Sequence, residues 1–258
     1  MKLALLLVVV AACDASGGVG SGDDYPIGPG GRTPGNSGRG SDAGVSDGAV
    51  GDGGVPQIRG RVCLLKDMRR AGDVTACEPM GAKGLNVTFG SAQTLTSAED
   101  GSFSIDARME SNLVWRADSG DDETIFPSVF PSGNGAIIPA MDFDAYTSLL
   151  STNSVVLADQ QGSVVLQVRT GTVRTANVTA TSTGDSENPV QYDTTSLLDW
   201  DEDATAMAGI VWMPGVQLNV LPPTVARISL FLNGATTNQS VDAPIENGAI
   251  TFVVKNLQ

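Results

Sequence analysis

Residues 56–258 predict an all-β protein built as two β-sandwich domains, at 56–139 and 161–258, behind a disordered Gly-rich tether. Three observations lead there. Apolar residues recur with period two in short runs, Gly, Pro and Asp-containing turns separate those runs, and only one stretch has helical spacing. The chain has 258 residues, 41% of them hydrophobic, which is enough for a packed core.

The first run, Gln57–Leu65, places Ile58, Val62 and Leu64 on one face, with Gly60 between them. Leu85, Val87 and Phe89 alternate in the same way, and so do Phe103 and Ile105. Between Thr94–Ser97 and Ser102–Asp106 lies Ala98-Glu99-Asp100-Gly101. Asp-Gly flanked by alternating apolar residues predicts a hairpin. The one helical stretch has Asp142 as its cap and lines Phe143, Tyr146 and Leu150 along one side. It falls in residues 140–160, read as the linker between the sandwiches.

The second set of strands begins at Ser163–Arg169, where Val164, Leu166 and Val168 alternate. Thr175–Ser182, Met207–Trp212, Val225–Asn233 and Gly248–Lys255 follow. The inward residues are Ala226, Ile228, Leu230 and Leu232 in one, and Ile250, Phe252 and Val254 in another. Pro222-Pro223 cannot sit in a central strand and marks a boundary.

Ahead of these domains, Met1-Lys2 is followed by the apolar run Leu3 to Ala12 and then Cys13. A positive charge, a ten-residue apolar stretch and small residues at its end fit a secretory signal at 1–12. Ten residues rise about 15 Å as a helix, half the thickness of a hydrocarbon core, so the run cannot span a bilayer. Val10-Ala11-Ala12-Cys13 resembles the bacterial lipobox, which implies that Cys13 receives a diacylglycerol and a further acyl chain such as palmitate after cleavage. The other reading is an ordinary signal peptide with an incidental cysteine. Residues 14–55 hold 15 Gly, 6 Asp and 3 Pro, with isolated apolar residues that form no face. Burial could not offset the cost of ordering them, so a flexible tether of about 35 Å is expected.

A second resemblance covers about two thirds of the chain. Ile58-Arg59-Gly60-Arg61-Val62, Gly84-Leu85-Asn86-Val87-Thr88 and Thr96 through Ile105 are similar to the carboxypeptidase-regulatory-like (transthyretin-like) domains. Gly162-Ser163-Val164, Ala176-Asn177-Val178 and Ala208-Gly209-Ile210-Val211 resemble a second, weaker copy. The resemblance implies immunoglobulin-like sandwiches and no peptidase site. The stretch Leu64–Lys83 departs from it by enlarging the first loop.

That loop contains Cys77, and Cys63 closes the strand before it. With Cys13 acylated they form an even pair in an exported chain, where a disulfide is expected. Two thiols are the alternative. The absence of histidine removes the usual general base, excludes a Ser-His-Asp triad and leaves no zinc set. A net charge of −14 argues against nucleic acid as a partner.

Two acidic clusters remain, Asp118, Asp121, Asp122 and Glu123, and Asp199, Asp201, Glu202 and Asp203. Asp199, Asp201 and Asp203 have the opening spacing of a calcium loop, but Ala204 replaces its glycine and Ile210 its final glutamate, so an EF-hand is excluded. An irregular Ca²⁺ loop and a solvated charged loop are the two readings. Carboxylate pairs could also serve a glycosidase, but no aromatic platform accompanies them in sequence. Among Trp115, Trp200, Trp212, Tyr146 and Tyr192, Trp200 is the candidate for stacking on a sugar ring, because it lies within an acidic stretch. The alternative places these rings in a core. Asn86, Asn177 and Asn238 match glycosylation acceptors and read most simply as strand residues. The expected function is a non-enzymatic lipoprotein anchored in the cell envelope by Cys13. It needs no cofactor and displays its sandwiches to a glycan or an envelope protein. A carbohydrate-binding module and a calcium-stabilised spacer are the alternatives.

Overall fold

A computed structural model describes residues 56–184, 186, 188–194, 199–201, 203–218 and 224–258. The signal segment, Cys13, the tether and Pro222-Pro223 lie outside the described residues. In chain order the strands are β1 (Gln57–Leu65), β2 (Asn86–Phe89), β3 (Ala92–Leu95), β4 (Ser102–Asp106), β5 (Val114–Asp118), β6 (Ser128–Pro131) and β7 (Ile137–Met141). Helix α1 (Phe143–Thr152) follows. Then come β8 (Gln161–Thr170), β9 (Val173–Arg174), β10 (Val178–Ser182), β11 (Gln191–Asp193) and β12 (Trp200–Asp201). The last four are β13 (Ile210–Gln217), β14 (Val225–Leu232), β15 (Ala235–Pro244) and β16 (Ile250–Leu257).

The all-β sandwich class is as expected, and its layers are three. A long sheet runs β12-β11-β13-β8-β16-β6-β5-β2-β3, with β9 pairing on β8. The small sheet β4-β1-β7 covers one face of it, and the small sheet β10-β14-β15 covers the other. Alternate residues of a strand point to opposite faces. On β8, Val165 accordingly enters the first core while Val164, Leu166 and Val168 enter the second. On β13, Trp212 and Ile210 face the first and Val211 and Met213 the second. On β16, Ile250 and Phe252 face the first and Val253 and Leu257 the second.

The long sheet crosses the expected linker. Its parallel pair Ile250↔Ser128 and Thr251↔Val129 joins the last strand of the chain to β6, and the described residues belong to one compact unit. The first core draws Val62, Phe89, Trp115 and Ile138 from before residue 140, and Val165, Trp212 and Phe252 from after 160. The physical reason is apolar area: β13 and β16 are apolar on both sides, and β8 adds Val165 on one side and Val164, Leu166 and Val168 on the other, so each side needs a layer.

Local sequence accounts for the elements around this frame. Gly60 in β1 has no room for a side chain, because a Cβ there would collide with the Phe103 ring and sit 2.5 Å from the Ala136 carbonyl oxygen. The Asp100-Gly101 turn forms, with Gly101 at φ +84° and Asp100 Oδ1 accepting from the Ser102 amide at 3.1 Å. It is a corner rather than the expected hairpin. β3 pairs with β2 in the long sheet, while β4 pairs with β1 in the small one. Phe103 and Ile105 must enter the first core from the opposite layer, which moves β4 away from β3. Helix α1 begins where expected, with Asp142 Oδ1 accepting from the Ala145 amide at 3.0 Å. It buries Tyr146, whose ring meets Phe126 and Trp212 edge-on. Tyr146 donates its hydroxyl to Ser163 Oγ at 2.6 Å.

Candidate functional site

Cys63 and Cys77 are disulfide-bonded, with Cα atoms 4.8 Å apart. The bond ties the end of β1 to a loop carrying two single helical turns, Met68–Arg70 and Val74–Ala76. Asp67 and Asp73 cap these turns, each accepting at 3.0 Å from the amide two residues on. Met68 and Ala71 sink into the first core. The loop is then fastened to β8 by the buried Gln167, whose Nε2 donates to the Ala71 carbonyl at 2.7 Å. Hydrogen bonds from Thr75 and Arg70 hold the Asp73 carboxyl well below the usual range, at about 2.

The same loop reaches Trp200. The Arg69 guanidinium carbon lies 5.7 Å from the Trp200 ring centroid, and Arg69 Nη1 donates to the Asp199 carbonyl at 3.3 Å. Trp200 packs at 5.3 Å against Trp212 and is half-buried at the edge of the long sheet. Trp115, Trp212, Tyr146 and Tyr192 are buried. The structure therefore corrects the idea of any of these four as a sugar platform. Burial raises both tyrosine pKa values, that of Tyr146 to about 12.

The acidic residues are used locally. Asp118 Oδ1 accepts from Asn86 Nδ2 at 2.8 Å and from the Gly120 amide at 3.0 Å. Asp121, Asp122 and Glu123 are exposed, as are Asp199, Asp201 and Asp203. Asp201 Oδ1 accepts from the Asp203 amide at 2.9 Å. Glu202 lies outside the described residues. Among the described residues, no three His, Cys, Asp or Glu side chains converge as a metal would need. Of the three glycosylation-like asparagines, Asn86 and Asn238 lie on strands, while Asn177 precedes β10 at φ +59°.

Asp193, which sequence reasoning passed over, is the one buried carboxylate among the described residues. It is buried in β11, and its two oxygens accept from the Ala208 and Ile210 amides, each at 2.7 Å. Its signal in sequence is the acidic residue directly after Gln191-Tyr192 in an otherwise buried strand. Tyr192 does a similar job beside it. Its hydroxyl accepts from the Ala180 amide at 3.1 Å, which occupies the open edge of β10.

No protein-family model matches the chain, and no curated protein matches it. Among solved structures it is similar to the crystal structure of GBS52, the minor pilin of the Gram-positive pathogen Streptococcus agalactiae. The identity is 9%, over 78% of this chain and 94% of that chain, with a TM-score of 0.24. Likeness at that level carries no inference about fold or role. The carboxypeptidase-regulatory-like resemblance thus stands on its motif residues alone. Among the described residues, no helix is long and apolar enough to cross a membrane.

Proposed function

We propose that this chain is a non-enzymatic protein of the cell envelope, held to the bilayer by lipid on Cys13. Its rigid β body serves adhesion, envelope structure or the binding of a partner. The observation that carries this reading is the Cys63–Cys77 disulfide. Disulfides persist in oxidising, exported compartments. The third cysteine, Cys13, stands where the apolar N-terminal run ends. Two acyl chains hold a protein stably on a membrane, at roughly 0.8 kcal/mol for each buried methylene. The use of polar side chains supports the non-enzymatic part. Asp193, Gln167 and Tyr146 are all committed to internal hydrogen bonds.

Membrane fractionation of wild type and Cys13→Ser, with mass spectrometry of the N-terminal peptide, tests the anchor. Wild type is expected in the membrane fraction with fatty acid on Cys13, and the variant in the soluble fraction. Equal membrane retention without a fatty acid overturns the reading. A hydrolase screen of the purified protein tests the non-enzymatic part, with no turnover as the expected result.

A further inference from the structure

The β8–β9 hairpin sets Arg169 directly opposite Arg174. Like charges so placed on an antiparallel pair destabilise it. The chain has 29 acidic residues against 15 basic ones, and Arg69, Arg70, Arg116 and Arg227 each hold a carboxylate. Among the described residues, neither Arg169 nor Arg174 forms such an ion pair.

Both side chains are half-buried and already oriented. Arg169 Nε donates to Gln167 Oε1 at 2.7 Å, and its Nη2 donates to the Gly72 carbonyl at 3.5 Å. Arg174 Nη1 donates to the Arg69 carbonyl at 3.3 Å. A guanidinium has five N–H donors in a rigid fork, so each keeps donors beyond these bonds. Desolvation and the neighbouring Arg174 charge both lower the Arg169 pKa. Arginine nonetheless stays protonated at neutral pH, so two positive charges face each other. Two loop carbonyls need two donors. They do not need two permanent charges in opposition.

We propose that Arg169 and Arg174 together bind one oxyanion, a carboxylate or a phosphate, whose negative charge relieves their repulsion. Forked donors match the two oxygens of a carboxylate or phosphate. The net charge of −14 repels anions at long range. At physiological salt that field is screened over about 8 Å, so contact with the two forks decides binding. The site is independent of whether Cys13 is acylated.

The test is titration of the full chain with sodium glucuronate and, separately, with inorganic phosphate at constant ionic strength. The arginine Nε–H NMR signals are followed. Saturable shifts are expected for Arg169 and Arg174. Arg174→Gln should weaken binding about tenfold or more, and Arg227→Gln should leave it unchanged. Stronger binding of glucuronate identifies a carboxylate source, and stronger binding of phosphate a phosphate source. Should Arg174→Gln fail to fold by circular dichroism, Arg174→Lys keeps the charge without the fork, and weaker binding by it supports the site. No saturable shift with either anion, or binding undiminished in the folded variant, overturns the proposal.

Discussion

The two faces of the long sheet are packed by different chemistry. The core toward β4-β1-β7 is rich in rings, with Phe89, Phe103, Trp115, Phe130, Tyr146, Trp212 and Phe252 set among aliphatic side chains. The face toward β10-β14-β15 is built from Val, Leu, Ile, Ala and Met, with Tyr192 its one buried ring among the described residues. The aromatic side also buries polar groups. β8 presents Ser163 and Gln167 to it, and these accept from Tyr146 and donate to the disulfide loop. The aliphatic side takes only Val164, Leu166 and Val168 from the same strand. The ring-rich side is bridged by a loop and by the α1 helix, whereas the aliphatic side is bridged by single side chains, the Tyr192 hydroxyl accepting from the Ala180 amide and the buried Thr251 hydroxyl donating to the Pro244 carbonyl.

The largest test of that contrast is truncation on each side. Trp212→Ala should cost about 3–5 kcal/mol and Leu166→Ala about 2–5 kcal/mol, read from urea unfolding. Because both residues belong to one shared sheet, tryptophan fluorescence and far-ultraviolet circular dichroism should report a single transition in each variant. Two separated transitions would restore two independent sandwiches. Next in size is the disulfide. A Cys63→Ser, Cys77→Ser double variant should lose about 3 kcal/mol, as expected for a closed loop of roughly 15 residues. Proteolysis should then cut first within residues 66–83, on the aromatic side.

Asp193→Ala should cost about 2–3 kcal/mol, since it strands two amides that the buried carboxylate now satisfies. The hydrogen-exchange protection of Ala208 and Ile210 is the readout, and unchanged protection would remove Asp193 from the frame. The smallest effect is a pH dependence. Tyr146 has a folded pKa near 12 against an ordinary value of 10.0. Its contribution is complete below pH 10 and is lost as pH rises toward 12, because the unfolded chain releases the proton first. Tyr146→Phe should flatten the decline in melting temperature across that interval.

Strands with one buried face were legible from period two alone. In β14, Ala226, Ile228 and Leu230 are buried as their alternation predicts. β5 carries the same signal, with Trp115 and Ala117 buried and Arg116 between them exposed. β8 misleads in a more instructive way. Its Ser163 and Gln167 look like a solvated face and are buried, because Tyr146 and the Ala71 carbonyl satisfy them. β15 is polar throughout most of Ala235–Pro244 and becomes a strand only by pairing along β14. The candidate residues divide similarly. The Cys63–Cys77 pair could be anticipated by counting, whereas Asp193 and the Arg169–Arg174 opposition required register.

Sequence alone determined the all-β class, the helix cap at Asp142, the turn at Asp100-Gly101 and the cysteine pair. Each depends on residues close in the chain or on a count. Tertiary structure decided that the two strand sets share one sheet, since a strand's own pattern records which residues are apolar but not which layer covers them. It also decided which rings are enclosed. Trp115 and Trp212 are buried against rings that arrive from elsewhere in the chain, Phe89 and Phe103 on the first and Tyr146 and Trp200 on the second.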